Sequence, residues 1–84
     1  DHGHYRSIEE LDVPDDSWVV GITLRELSLR DKADALVIAV HDGDDYHFNP
    51  GPDYEFEAGS KLIVLALLDD VPALEELLAS TTPV

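Results

Sequence analysis

The chain has no cysteine and no methionine among its 84 residues, and only five Lys and Arg stand against nineteen Asp and Glu. Without Cys there is no disulfide staple, no thiolate metal ligand and no Cys nucleophile, so redox chemistry leaves the compartment open. The net charge of −14 repels phosphate backbones and anionic lipid surfaces, which argues against nucleic acid and against direct membrane binding. It leaves two readings open, a cation-attracting surface or solubility in a salty cytoplasm, and the latter suits a chain whose lysines are Lys32 and Lys61 alone. No apolar run approaches the ~18 residues of a membrane span, and there is no secretory signal. The five glycines are scattered through turns and form no phosphate-cradling loop. Ser17, Ser28 and Ser60 sit in turn or helix-end contexts with no nucleophile-elbow pattern around them, so no enzyme is expected. The start at Asp1, without an initiator Met, leads us to expect a piece of something longer.

What is present is a set of clustered apolar runs. Ala35–Val40 is unbroken and β-branched, the pattern of a strand covered on both faces. Asp42-Gly43 supplies a hairpin turn, and Asp45–Asn49 returns with polar and aromatic residues alternating until Pro50, which has no N–H to donate. Lys61–Ala66 is the second interior strand and is expected beside the first. Ile8–Val13 is a further strand, stopped by Pro14, after which Pro14–Ser17 turns and Trp18-Val19-Val20 returns apolar bulk to the core. Gly51-Pro52-Asp53 turns, and Tyr54–Glu57 alternates with period two.

Two helices are signed. Thr23 and Glu26 form a capping box, Ile22 and Leu27 a hydrophobic staple, and the spacing predicts a helix over 24–29, with Gly21 supplying an unusual φ before it. Asp69 or Asp70 can cap a second helix with Pro72 in its first turn and Leu74, Leu77 and Leu78 as its inward stripe, opposite Glu75 and Glu76. The class is α+β, a small, mostly antiparallel four-stranded sheet with two short helices in the order strand-helix-strand-strand-strand-helix. Residues 1–7 read as a linker or frayed terminus, 8–80 as one domain and 81–84 as a tail. A domain this small buries only roughly 60–65% of its unfolded surface. Two short helices cannot cover both faces of such a sheet, which points to a homodimer.

One cluster has metal-ligand chemistry. His41, Asp42, Asp44, Asp45 and His47 surround one turn, and the two histidines across the hairpin are candidates to share a zinc or nickel ion. The spacing and closing Glu of a calcium loop are absent. The plainer reading is an acidic hairpin tip.

The succession Val19–Arg30, Ala35–Asp53 and Glu57–Ala66 resembles the TrkA-C domain, the C-terminal lobe of modules that regulate potassium conductance. Gly21, Thr23, Leu24 and Leu27 match its helix-opening segment, Asn49-Pro50 and Pro52-Asp53 its post-hairpin turn, and Glu57-Ala58-Gly59 the approach to its apolar strand. Ser60, where the family usually has Asp, and Ile22, where Lys is common, depart from the pattern. The resemblance implies a cytoplasmic, membrane-associated regulatory lobe, paired across a twofold axis and attached to a Rossmann-type lobe and a membrane pore. It implies a divalent cation or cyclic di-adenosine monophosphate as effector, the latter between two lobes. The Asn49–Asp53 turn favours a channel over a transporter or antiporter, and a constitutive dimerisation domain without ligand is the rival. The effector site is expected around Arg30, whose planar guanidinium suits phosphate and purine, with Leu36, Val37 and Ile38 as walls and His41, His47, Asn49 and Pro50 from the hairpin.

Overall fold

The computed structural model describes residues 5–29 and 33–83. Strand β1 is Arg6–Asp12, helix α1 Leu24–Leu27, strand β2 Leu36–Asp42, strand β3 Asp45–Phe48 and strand β4 Lys61–Leu67; a 3-10 turn at Leu68–Asp70 leads into helix α2, Val71–Ala79. The sheet order is β1-β4-β2-β3 with every pairing antiparallel. The second apolar run thus takes a central place beside the first, hydrogen-bonded on both sides. Gly43 sits at φ 61 in the turn between β2 and β3, a backbone that glycine adopts freely. Among the described residues no helix is long and apolar enough to cross a membrane.

Strand alternation divides the sheet into two faces. Leu62, Val64 and Ala66 of β4 face Leu11 of β1 and Val37 and Val40 of β2. Val13, Val19, Leu27, Phe56 and the α2 residues Leu74 and Leu78 close over them as one buried cluster. The other face carries Ile63 and Leu65 of β4, Ile8 of β1, Leu36 and Ala39 of β2 and Phe48 of β3. A bulge between Val37 and Ala39 shifts the register, so that Leu36 and Ala39, three positions apart, share this face. That irregularity lets an unbroken apolar run serve both sides.

Helix α1 is held by its own sequence and by a distant one. Thr23 Oγ1 accepts from the Glu26 N–H at 3.1 Å, and the Thr23 N–H donates to Glu26 Oε1 at 3.2 Å. The remaining free N–H groups of the first turn go to the segment after the hairpin: Leu24 to the Tyr54 carbonyl and Arg25 to the Pro52 carbonyl, both at 2.8 Å. Gly21 stands at φ 83 just before, its N–H on the Phe56 carbonyl at 2.9 Å. Both staple residues pack into the one cluster, Leu27 fully and Ile22 in part.

Several expectations are corrected. β1 begins at Arg6, inside the stretch taken for a terminus, because β4 offers partners: Arg6 pairs with Leu67 and Ser7 with Ala66. Helix α1 ends at Leu27 rather than Leu29, since Ser28 turns left-handed at φ 51. Tyr54–Glu57, which alternates with period two, is a short extended piece that makes a single bridge, Thr23 to Glu55, as the four-stranded order expects, while Phe56 anchors it in the core. Neither Asp69 nor Asp70 caps α2 with its side chain; the 3-10 turn delivers the chain directly, with Pro72 in the first turn.

Candidate functional site

Where α1, the start of β2 and the chain after β3 converge, they enclose a pocket of about 320 Å³. Leu24, Arg25, Ser28 and Leu29 form one wall, Ala35, Leu36 and Val37 the floor, and Asn49, Pro50 and Pro52 the far side. Ser28 at φ 51 and Asn49 at φ 50 are the non-glycine residues with positive φ among those described, and both line this pocket. Backbone held in a sparsely populated conformation collects where function constrains it. Asn49 is fixed by its N–H on the Ile38 carbonyl at 2.8 Å, and Ser28 by its hydroxyl donating to the Arg25 carbonyl at 2.8 Å. Among the described residues, Arg25 supplies the only charged side chain of the lining.

Of the expected ligand residues, Leu36, Val37, Asn49 and Pro50 are brought together here. Ile38 lies at the bulge, offering its carbonyl to Asn49. His41 stands at the other end of β2, five residues and roughly 16 Å along the strand from Leu36 at ~3.3 Å per residue. Its ring stacks on Tyr46, with centroids 4.2 Å apart and planes within 3°. Arg30 lies outside the described residues. Leu24, Arg25, Ser28, Leu29, Ala35 and Pro52 also line the pocket and are not among the expected ligand residues; the one signal for Arg25 is a base in the first turn of a capped helix.

The shared-ion arrangement at the hairpin is corrected by the register. His41 pairs with Tyr46 and His47 with Val40, so the two imidazoles emerge on opposite faces, His47 toward Tyr54 at 6.0 Å between ring centroids. Among the described residues no group of three or more His, Asp or Glu side chains is placed to hold a metal ion. The Asp42 carboxyl, as hydrogen-bond partner first and as charge second, pushes the Glu57 carboxyl above its usual range. Burial raises the neighbouring Tyr54 phenol in the same direction, reinforced by Asp42 and Glu57.

The pocket opens at the edge of the second sheet face, and Leu36 belongs to both. On that face Ile8 is 67% exposed, Leu36 47%, Tyr46 50% and Phe48 72%. A contiguous apolar patch of this kind marks an interaction surface. Its margins hold Arg6 with Asp34 at 2.6 Å, and Lys61 with Asp12 at 2.9 Å and Glu10 at 3.5 Å. Two of the three bases among the described residues therefore border this face, each paired with the acids beside it.

The TrkA-C domain family profile matches residues 8–79. The chain belongs to the TrkA-C domain family. No curated protein matches it. Among solved structures, this TrkA-C domain is similar to the RCK C domain of the potassium transport protein KtrA in complex with cyclic diadenosine monophosphate, at 25% identity and TM-score 0.76 over 84% of this chain and 81% of that one. It is also similar to the RCK_C domain dimer of S. agalactiae BusR in complex with c-di-AMP, at 21% identity and TM-score 0.78 over 86% and 95%. The same BusR is solved with its busAB-promotor DNA, in a chain of which this domain covers 35%. The GsuK RCK domain matches at 19% identity and TM-score 0.74, over 92% of this chain and 17% of that one. Below 25% identity the likeness speaks for the fold.

Proposed function

We propose that this TrkA-C domain is a non-enzymatic, effector-sensing lobe of a potassium-transport system, working as a twofold homodimer on the cytoplasmic side of the membrane. The observation that carries the reading is Leu36, which lines the pocket and stands on the open apolar face. A second copy covering that face would bring the pocket to the border of the interface. A cyclic dinucleotide suits such a border: its two purines are apolar and flat, its two phosphates anionic, and its own twofold symmetry matches an isologous dimer. The effector of the KtrA domain and of the BusR dimer supports the choice. The mechanism is linkage, in which an effector that binds one arrangement of the paired lobes better shifts the attached assembly toward it. An upstream Rossmann-type lobe and pore would receive the signal, and the Asn49–Asp53 turn favours a channel as the recipient.

The BusR complexes favour a second reading, in which such a lobe serves a DNA-bound protein. With a net charge of −14, this domain would then sense the effector and leave DNA contact to another part.

Calorimetric titration of the chain with cyclic di-adenosine monophosphate, and separately with calcium, tests the proposal. Saturable dinucleotide binding that is lost in Leu36→Glu is the expected result. Saturable calcium binding alone would move the effector to the acidic hairpin. Binding of neither would leave a constitutive dimerisation domain.

A further inference from the structure

Resting on the effector reading above, we infer that Arg25 is the anion anchor of the pocket and that Asp53 is both its resting partner and its competitor. The backbone of Arg25 is held at both ends, its N–H on the Pro52 carbonyl at 2.8 Å and its carbonyl taking the Ser28 hydroxyl at 2.8 Å. The root of the side chain is thus fixed at the pocket wall. Its head is not. One guanidinium nitrogen reaches Asp53 Oδ1 at 3.4 Å, and the two side chains are 67% and 84% exposed.

The other described bases are engaged more closely. Arg6 holds the Asp34 carboxylate at 2.6 Å and its carbonyl at 3.4 Å, and Lys61 is shared between Asp12 and Glu10. Neither lines this pocket, whereas Arg25 does. An exposed ion pair of this kind contributes little to stability and is easily exchanged. A phosphate offers the guanidinium a planar, forked acceptor in place of one distant carboxylate oxygen. Asp53 stands one residue beyond Pro52 of the pocket lining, so its charge opposes an incoming anion whenever Arg25 swings away from it. The pair therefore acts as a latch, with Arg25 drawing the anion and Asp53 holding affinity down.

Two surface substitutions separate this from a merely structural pair. Breaking the Arg25–Asp53 contact from either side would have the same effect if the contact only braced the pocket. The latch gives opposite signs. In titrations of the chain with cyclic di-adenosine monophosphate, Arg25→Gln should weaken binding by about tenfold to a hundredfold, the value of a charge-assisted hydrogen bond. Asp53→Asn should tighten it by about threefold. Both variants should keep the wild-type melting transition, since neither side chain is buried. Wild-type affinity in Arg25→Gln, or equal weakening in both variants, would overturn the latch while leaving the effector reading standing. A wild-type chain that does not bind the dinucleotide would remove the effector reading and the latch with it.

Discussion

On β4, Leu62, Val64 and Ala66 are lost beneath the helices, while Ile63 and Leu65, their immediate neighbours, remain only partly covered on the opposite face. The residue chemistry of the two faces is similar; their surroundings differ. Among the described residues, the closed face has α1, α2 and the inserted Phe56, and the open face has strands alone. A chain of this length supplies enough helix for one side of a four-stranded sheet. Its second apolar face must find its cover elsewhere, and the bases gathered at its margin make a second copy of this acidic chain a tolerable neighbour there. The fold is carried by one side, and the other is the face proposed for assembly.

That division can be broken at either face. The largest effect should come from the closed one. Leu27→Ala empties a site at 0% exposure and removes half the staple, so denaturant melts should show a loss of about 2–5 kcal/mol. A loss below 1 kcal/mol would mean that α1 is not part of the stable core. Leu65→Glu addresses the open face. The single chain should fold, while the dimer weakens by about 2 kcal/mol or more, as expected for a charge forced into the centre of an apolar interface. Sedimentation that leaves the dimer intact in this variant would place the interface elsewhere.

Smaller changes sharpen the comparison. Thr23→Ala removes the cap without touching the core and should cost about 1 kcal/mol, less than Leu27→Ala in the same melts. Glu57→Gln should act through pH. The Glu57 carboxyl is raised by its hydrogen bond to Asp42, so the folded chain holds that proton more tightly than the unfolded one. The contribution is fully present below the ordinary glutamate range and fades as pH rises through the raised value, where the pair becomes two opposed charges. Melting temperature should therefore show a small rise as pH falls into the mildly acidic range in wild type, and that component should be absent in Glu57→Gln.

The legible parts of the structure are those whose causes are local. Thr23 and Glu26 make their capping bonds within one turn of helix, and Asp42-Gly43 turns the hairpin by its own backbone preference. The two apolar runs announce the paired strands. What escaped depends on segments far apart in the chain. Arg6 and Ser7 are polar and without pattern, and become strand only because Leu67 and Ala66 arrive beside them. The bulge after Val37 has no signature in an unbroken apolar run, yet it decides that Leu36 faces outward. The meeting of Leu36, Val37, Asn49 and Pro50 at one pocket was legible from the β2 run and the Asn49-Pro50 turn. Arg25 was not, because a charged residue on a short helix looks like solvent-facing surface until the Pro52 segment folds against it.

Pairing of the open face with a second copy, bridged by the effector, reduces to a stoichiometry. Analytical ultracentrifugation of the chain at tens of micromolar, with cyclic di-adenosine monophosphate followed by its own absorbance, measures assembly and occupancy together. A dimer is expected, with an interface near the standard ~1,600 Å², carrying one dinucleotide per two chains. A monomer that binds one dinucleotide by itself, or a dimer that binds none, would contradict it.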